Sequence, residues 1–408
     1  MTSMRFISTD ERRTRLALRH CLSVPATDAY EVAESLVGLH STDPTTVYLS
    51  ARARIRGFQR EDLDRALFEE KSLIRLVGMR RTLWVVPRPA VGVVHQSSTR
   101  TLIAPERRRT AAMVEQGGIA GDGAAWVRRA SARTMEALGR RGEATAAELT
   151  KDVPELAEKI TFYKRDGSVM TTMGMVTRVL FLLATEGKVV RARPKGTWVS
   201  GLYRWAPMDS WVEGMDLETV DPATARARLL SKWLRAFGPG TETDITWWTG
   251  WTKGNVRVAL EHADAIEIGV DSGPAWVAAD DVDPVEGDSS FVRLLPSLDP
   301  TTMGWKQRGW YLGDNERRLF DRNGNGGPTI WVDGRAVGGW AQRKSGEITW
   351  ELVEDVGREG AAEIEREAAS LSEWLDGTVV SPRFRSPLHD ELRSQADQGS
   401  RGTSPPNH

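Results

Sequence analysis

One local pattern occurs three times along the chain and limits the folds that it can adopt. Each copy has helical stretches that lead into two short β-rich runs, joined by a turn with Trp-Val just after it. The turn regions read GMRRTLWVV, RPKGTWVSG and DSGPAWVAA, with Trp84, Trp198 and Trp276 at matching places. An aromatic residue at a fixed place in a small hairpin most often fills a core. Because the copies are unevenly spaced, the pattern predicts duplicated domains and not a solenoid.

Helices followed by a two-stranded hairpin are typical of a winged helix-turn-helix, and two of the three hairpins have basic tips. Arg80 and Arg81 lie at the first tip, and Arg191, Arg193 and Lys195 lie at the second. Such side chains can neutralise DNA phosphates and release counterions. The third tip is acidic and is not expected to contact DNA. We therefore predict a mainly α fold with small β-hairpins (α+β), built from three tandem winged-helix motifs and a C-terminal antiparallel β unit.

The same signals give the predicted boundaries. After the third copy the pattern becomes β-rich, with Asp333-Gly334 as a strong hairpin turn, and an acidic helix follows. The last residues are rich in Ser, Pro, Gln and Asn, a composition typical of disorder. The predicted segments are winged helix 1 at 1–88, a helical spacer at 89–141, winged helix 2 at 142–210, winged helix 3 at 222–282, the β unit at 290–355, the acidic helix at 358–377 and a disordered tail at 385–408.

Composition excludes several classes of protein. Cys21 is the single cysteine among 408 residues, so neither an internal disulfide nor a cysteine-based zinc site can form. There is no HExxH motif, and no window approaches the ~18 apolar residues that a membrane span needs. The N-terminal residues lack the apolar region of a secretory signal. We expect a monomeric cytoplasmic protein that uses no metal or other cofactor and has no membrane partner.

The formal net charge of −1 conceals two basic segments. Residues 71–109 contain nine Lys or Arg and the single acid Glu106, and residues 160–204 contain eight bases and two acids. Two such segments in matching contexts favour double-stranded DNA as a partner. Solvated charged faces are the alternative interpretation. The same choice, between a solvated face and phosphate contact, applies to the helical run Arg107-Arg108-Arg109.

The segment 36–56, LVGLHSTDPTTVYLSARARIR, joins an apolar helix end to a second helix. Pro44 favours the first turn of a helix, and Asp43 before it is a favoured N-cap. His40 and Thr42 therefore lie at a helix–helix junction, beside a positive helix N-terminus. Two interpretations remain open. In the local one, Asp43 is only a cap and His40 a partly buried ring. In the functional one, a carboxylate beside an imidazole orients water and stabilises positive charge on a sugar.

These pieces resemble the tandem winged-helix superfamily of bacterial DNA-binding proteins that includes the AlkZ-like alkylpurine DNA glycosylases. The matching sequences are LVGLHSTDPTTVYLSARARI, RTLWVVP, EGKVVRARPKGTWVSGLYRW, LLPSLDP and IWVDGRAVGGW. They extend over nearly the whole chain up to about residue 355. The resemblance implies three winged-helix motifs in a C-shaped arrangement around a basic channel for duplex DNA. It also implies release of bulky N7-alkylated purines, or unhooking of interstrand crosslinks, without a metal or cofactor.

The catalytic motif of that family is Gln-x-Gln or Gln-x-Asp, directly after Gly-Leu. In this chain Gly38-Leu39 is followed by His40 and Thr42 at the two motif positions, with Asp43 one residue further on. An N7-alkylated purine already carries positive charge and leaves readily, so the enzyme needs mainly to place water and stabilise an oxocarbenium-like sugar. The resemblance thus implies that His40 positions water or acts as a base, with Thr42 and Asp43 assisting.

The leading hypothesis is a DNA-repair hydrolase, a monofunctional DNA glycosylase for alkylated bases. The alternative is a non-catalytic winged-helix DNA-binding protein or regulator. A third hypothesis is a protein whose clefts bind a small ligand or a protein partner. The residues predicted to contact double-stranded DNA, which can be alkylated, are Arg52, Arg54, Arg80, Arg81, Arg107, Arg108, Arg191, Arg193 and Lys195.

Overall fold

A computed structural model describes residues 4–399 of the protein. The chain forms two compact units: a discontinuous unit, residues 1–63 and 230–408, and an inserted unit, residues 64–229. The boundary after Leu63 falls inside segment 1–88, which the sequence analysis assigned to a single winged helix. Local patterns could not reveal this division, because the contacts that join residues 1–63 to the C-terminal half span more than half of the chain.

The first part of the discontinuous unit consists of short helices. They are α1 (Thr9–Arg19), α2 (Ala29–Ser35), α3 (Pro44–Arg52) and α4 (Arg60–Asp64), which crosses the boundary. The two-residue strand β1 (Leu39–His40) lies between α2 and α3. The side chains of Ser8, Asp28 and Asp43 cap α1, α2 and α3 by accepting hydrogen bonds from backbone N–H groups of the first turn. These caps satisfy donors that a helix leaves unpaired at its start.

The inserted unit alternates helices with antiparallel hairpins. Its elements are β2 (Leu73–Val77), β3 (Leu83–Pro87), α5 (Val91–Val94), α6 (Arg100–Gln116), α7 (Gly123–Arg141), β4 (Ala144–Thr145), α8 (Ala146–Asp152), β5 (Lys159–Tyr163), β6 (Val169–Gly174), α9 (Met175–Thr185), β7 (Val189–Pro194), β8 (Tyr203–Pro207) and α10 (Met208–Trp211). Single π-helical turns lie at Arg65–Glu69 and His95–Thr99.

Helix α9 is at the centre of the core of the inserted unit. Its sequence MVTRVLFLLAT places apolar residues at helical spacing, and Val179, Leu182 and Leu183 are fully buried. They pack with apolar side chains of α7 and α8. Helices α6 and α7 approach closely at Gly123, where an added Cβ would lie 2.1 Å from the carbonyl oxygen of Ala111. Only glycine permits this contact.

The hairpins β2–β3 and β7–β8 are those whose tips the sequence analysis marked as basic. Leu76 pairs with Trp84 in the first, and Trp84 is buried as expected. In the second, a register shift follows Arg191, and Trp198 lies in the loop before β8, where it is half-buried. The aligned tryptophans are therefore not equivalent in structure, because the second hairpin has the longer loop.

The remaining elements belong mainly to the discontinuous unit. They are α11 (Pro222–Phe237), which crosses the boundary, α12 (Glu242–Thr249), α13 (Lys253–His262), β9 (Ala265–Val270), β10 (Gly273–Ala278), β11 (Val292–Leu295), α14 (Gly309–Leu312), α15 (Glu316–Leu319), β12 (Thr329–Val332), β13 (Arg335–Gln342), β14 (Ile348–Leu352), α16 (Gly357–Leu375) and α17 (Pro387–Gly399).

Two antiparallel sheets organise this part. Strands β9 and β10 form a hairpin, and β11 to β14 form a four-stranded sheet in sequence order. Asp333 and Gly334 have φ values of 47° and 79°, as the tight turn between β12 and β13 requires. The fold is therefore a mixed one with helices and small antiparallel sheets. Within residues 4–399, no helix is both long and apolar enough to cross a membrane.

The N-terminal residues pack on the β9–β10 hairpin and so join the start of the chain to the C-terminal part of the discontinuous unit. The backbone N–H of Ile7 donates to Gly269 at 2.9 Å, and Ile7 packs against Ile268 and Val277. From α1, the fully buried Arg15 forms an ion pair with Asp281 at 3.0 Å.

Helix α17 corrects the expectation of a disordered tail from residue 385. Pro387–Gly399 is helical, and its Leu388 and Leu392 are buried. The polar composition concealed these two residues, which lie four positions apart on one helix face. The side chain of Leu388 packs against the backbone of Gly339 in β13. The rest of the predicted tail, residues 400–408, lies outside the described residues.

Helix α3, which follows the His40 segment, is fixed to the C-terminal part of the unit along its whole length. The hydroxyl of Thr46 donates to the carbonyl oxygen of Ser297 at 2.8 Å, and that of Ser50 donates to Asp299 at 2.6 Å. At its last turn, Arg52 donates to Glu367 at 2.5 Å and to the hydroxyl of Ser370. These four contacts, made by three residues of the helix, leave α3 little freedom to rotate or slide.

The next residues add a fully buried ion pair. Arg54 donates to both carboxylate oxygens of Asp299, at 2.9 and 2.7 Å, and neither side chain is exposed to solvent. The guanidinium also donates to the carbonyl oxygens of His20 and Ser50 and to the hydroxyl of Thr301. Although burial alone would raise the pKa of Asp299, Arg54 and the hydrogen bonds hold that pKa below its ordinary value.

His20 completes this network as a neutral imidazole. Its Nε2 lies 3.1 Å from the carbonyl oxygen of Ala236, which can only accept, so this nitrogen carries the proton. Nδ1 then accepts from Thr301 at 2.8 Å. Complete burial, followed by the nearby charge of Arg54, lowers the pKa of His20 to about 3. The network is therefore complete only while this imidazole is uncharged.

We expect Arg54→Met and Asp299→Asn each to lower the free energy of unfolding by about 3–5 kcal/mol, because each leaves a buried charge without its partner. Arg56→Met is the matched control: Arg56 is exposed two residues away, and its loss should cost under ~0.5 kcal/mol. Urea unfolding of the full chain provides the measurement. Similar losses for Arg54→Met and Arg56→Met would contradict the role of the ion pair.

His20 should make stability depend on pH in acid. Its pKa is about 3 in the folded chain and ordinarily 6.5, so the unfolded chain alone takes up a proton between these values. The part of the free energy of unfolding that depends on neutral His20 is complete above pH 6.5 and is lost as the pH falls towards 3. His20→Gln should be less stable at pH 7.5, and its deficit should shrink by about 1 kcal/mol per pH unit below pH 6. A constant deficit would contradict this, and exposed His262→Gln should show no such trend.

Candidate active site and nucleic-acid contacts

The backbone before His40 is strained. Val37 has φ of 61°, a conformation that β-branched residues rarely adopt, and Gly38 has φ of 145°. Such outliers persist only where the surrounding structure enforces them, and they concentrate at functional sites. The turn places the fully buried Leu39 in the core and starts the polar run at His40. The Gly-Leu pair suits this geometry, because glycine tolerates the positive φ at residue 38 and the leucine side chain fills the core.

The polar run is mostly sheltered from solvent. His40 is 7% exposed, Ser41 is fully buried and Asp43 is 2% exposed, whereas Thr42 is half-buried. All four lie within one short connection between α2 and α3. The structure therefore brings the three predicted catalytic residues together, and Thr42 is the one most accessible to solvent.

The carboxylate of Asp43 is occupied by structural hydrogen bonds. One oxygen accepts from the backbone N–H and the hydroxyl of Thr45, at 3.0 and 2.8 Å. The other accepts from the backbone N–H of Arg383 at 2.8 Å. Asp43 is thus the N-cap of α3 and also ties this helix to the segment before α17. The local interpretation of Asp43 is supported, and His40 and Thr42 are the stronger candidates for contact with a reacting molecule.

Two predicted DNA contacts need correction. Arg54 is fully buried with Asp299, so its guanidinium cannot reach a phosphate. The side chain of Arg52 is 9% exposed and pairs with Glu367. Their sequence context, a helix end rich in arginine, is the same for structural and phosphate-binding residues. The LLPSLDP motif supplied the missing information, because it provides both Ser297 and Asp299 to α3.

The predicted contacts in the inserted unit lie on its hairpins and on α6. At the β2–β3 tip Arg80 and Arg81 are exposed, and Arg81 pairs with the buried Glu106 at 2.6 Å. Both arginines have positive φ, 54° and 61°. Because Glu106 also binds Arg178 at 2.9 Å, this carboxylate holds the tip against α9. Arg81 is therefore partly structural.

The β7–β8 hairpin distributes its three cations differently. Arg191 is half-buried and stacks on Trp205, with its guanidinium carbon 4.9 Å from the ring centroid. Arg193 is exposed but pairs with Asp64 at 2.7 Å. Lys195, in the loop after β7, is exposed. Arg80 and Lys195 are thus two exposed cations near the tips of these hairpins.

The hairpin β5–β6 is a surface that the sequence analysis did not single out. Tyr163, Val169 and Met170 expose 57–64% of their surface there, beside the cations Lys164 and Arg165 of the turn. Isolated exposed apolar residues need no explanation, but three on one small hairpin form an unusual patch. The β6 sequence VMTTMG has no strict alternation of apolar and polar residues, so local patterning gave no signal for this surface. Within residues 4–399, no group of three or more His, Cys, Asp or Glu is placed to hold a metal ion.

Comparison with known proteins agrees with these observations. A family profile described as "DNA glycosylase AlkZ-like" matches residues 33–374, which include the His40 segment and the LLPSLDP motif. The solved structure of Streptomyces sahachiroi DNA glycosylase AlkZ is similar, with a TM-score of 0.67 and 20% identity over 92% of this chain and 98% of that chain. No curated protein sequence matches. The resemblance inferred from the motifs is confirmed: the chain belongs to the AlkZ-like DNA glycosylase family.

Proposed function

We propose that the protein is a monofunctional DNA glycosylase that hydrolyses the glycosidic bond of N7-alkylated purines or crosslinked bases in duplex DNA. The observation that carries this proposal is the family match, which extends across the strained turn at Val37 and the polar run that begins at His40. The likeness to the AlkZ structure supports the fold. Thr42 is half-buried in the same connection and is the residue of this run that solvent reaches most easily.

The proposed reaction needs little from the protein beyond placing water. When the glycosidic bond breaks, its electron pair moves to the alkylated base and neutralises its positive charge. Water bonds to the oxocarbenium-like sugar, and its proton passes to His40 acting as the general base. The hydroxyl of Thr42 holds this water, and the positive N-terminus of α3 favours its hydroxide-like form. The products are the free base and an abasic site.

Asp43 takes a positioning role in this proposal. Its carboxylate oxygens accept three hydrogen bonds from Thr45 and Arg383, so most of their acceptor capacity is already used. By capping α3 it fixes the helix start that stands next to Thr42. Replacing Asp43 should therefore lower stability and activity together, because it disturbs the start of α3.

DNA binding in this proposal rests on the hairpins, which we interpret as wings of tandem winged-helix motifs. Arg80 and Lys195 would contact phosphates from two wing tips. The exposed Tyr163, Val169 and Met170 of β5–β6 would insert between base steps, as apolar side chains do in proteins that kink DNA. Such insertion assists base extrusion, which a glycosylase requires.

A non-catalytic DNA-binding protein is the second candidate. One observation favours it: the two motif positions hold His40 and Thr42 where the family has Gln and Gln or Asp. In that case the scaffold and the wing cations would bind duplex DNA without releasing bases.

We expect the protein to convert a duplex with one N7-alkylguanine into an abasic product in single-turnover assays. His40→Ala should reduce the rate about 10²–10⁴-fold, the range typical of a lost general base, and should leave DNA affinity within twofold. His40→Gln, which restores the family residue, should retain more activity than His40→Ala. His262→Ala, at an exposed histidine of α13, is the matched control and should be fully active.

The outcomes separate the two candidates. Base release that survives His40→Ala would reject the assignment of His40. Absence of base release, together with intact salt-sensitive binding to duplex DNA, would favour the non-catalytic protein.

We expect Arg80→Gln and Lys195→Gln to weaken duplex binding at all sequences, because each removes one phosphate contact. The slope of the logarithm of the binding constant against the logarithm of salt concentration should decrease in magnitude by about 0.9 for each substitution. Fluorescence anisotropy at several salt concentrations measures this slope. Lys344→Gln, at the exposed β13–β14 turn, is the control and should leave it unchanged. An unchanged slope in both wing variants would contradict the assignment of the wings.

A further inference from the structure

A groove of about 470 Å³ lies within the inserted unit, on helices α6, α7 and α9. Its floor is apolar and includes Ala111, Val127, Met135 and Leu183. Its volume falls within the range of pockets that hold small molecules. None of its lining residues belongs to the His40 segment, so its role is separate from the proposed chemistry.

The groove is open because the residues of α7 that line it are small, although α6 and α7 pack closely. At Gly123, α7 touches the backbone of α6, where an added Cβ would lie 2.1 Å from the carbonyl oxygen of Ala111. Ala124 and Ala132 of α7 then line the groove without filling it. Because the core residues beneath, such as Val127 and Leu183, are buried and well packed, the groove has a fixed shape.

Positive charge surrounds the apolar floor. Arg107 and Lys188 pair with Glu186 at 2.6 and 2.9 Å, so this carboxylate, which is 5% exposed, is already neutralised. Burial would raise the pKa of Glu186, but the hydrogen bonds from Arg107 and Lys188 outweigh it and lower that pKa. The exposed Arg108 and Arg128 also line the groove, and neither forms an ion pair with any residue in the range 4–399.

A polar group inside the groove also lacks a partner. The Oγ atom of Ser131 is buried and makes no hydrogen bond to the described residues. A serine in a helix commonly donates to the carbonyl oxygen one turn earlier, as Thr134 does to Ala130 at 2.7 Å. A buried hydroxyl without a partner is costly.

These features define the class of ligand. The apolar floor requires an apolar body, because a hydrated phosphate backbone would leave it unfilled. The unpaired cations require a negative charge at one end, since two guanidinium groups favour carboxylate, sulfonate or phosphate. We propose that the groove binds a small amphipathic organic anion, with its apolar body against Val127, Met135 and Leu183 and its anionic group between Arg108 and Arg128.

The test uses the full-length chain and 1-anilinonaphthalene-8-sulfonate, an aromatic sulfonate whose fluorescence reports binding. We expect saturable binding of one molecule per chain. Ala132→Trp, which fills the groove from an exposed position, should abolish this binding. The double variant Arg108→Gln, Arg128→Gln should weaken binding about tenfold, because two charge-assisted contacts are lost. Arg140→Gln, an exposed arginine of α7 outside the groove, should bind like the native chain.

Three results would overturn the proposal. The first is unchanged binding by a correctly folded Ala132→Trp variant, as judged by circular dichroism, or by the double arginine variant. The second is equal affinity for the neutral analogue N-phenyl-1-naphthylamine, which would remove the requirement for an anion. The third is displacement of the probe by duplex DNA together with a parallel loss of duplex affinity in the double variant, which would make the groove part of the DNA-binding surface.

Discussion

Two charges without access to solvent, on Arg54 and Asp299, hold the candidate active site in place. Taking an ion pair out of water is costly, and apolar residues of similar size are often as stabilising. The benefit of this pair is geometric. Its bidentate contact, together with Ser50 and Thr301, fixes the residues just beyond the end of α3 relative to the loop that follows β11. The other end of the same helix carries the polar run of His40.

The rest of the site depends on this fixed helix. Asp43 caps the N-terminus of α3 and binds the backbone of Arg383, so the helix is held at both ends. The strained turn at Val37, just before this helix, cannot relax without moving Leu39 out of the core. Backbone strain of this kind persists when neighbouring structure enforces it. Here that structure is a single short helix with polar contacts on each turn.

Local signals in the sequence were sufficient for much of the fold. Asp43 before Pro44 predicted the start of α3, and Asp333-Gly334 predicted the turn between β12 and β13. Predictions failed where the deciding partner was distant. Arg54 has the same sequence context as a phosphate-binding arginine, and its partner Asp299 is 245 residues away. Composition similarly concealed α17, because its burial depends on Leu388 reaching β13. The exposed cations at the hairpin tips were identifiable because tip position and charge are both local properties.

The discontinuous arrangement also has a consequence for the order in which the protein acquires its structure during synthesis. A ribosome that has made helix α3 must still make residues 64–229 and then Asp299 and Arg383 before the helix gains its anchors. At elongation rates of about 5–20 residues per second, this delay is on the order of tens of seconds. The inserted unit, being continuous in sequence, can fold in that interval. The segment that begins at His40 thus reaches its final conformation only after Arg383 has been made, so chains that end before this residue lack the contact between Arg383 and Asp43.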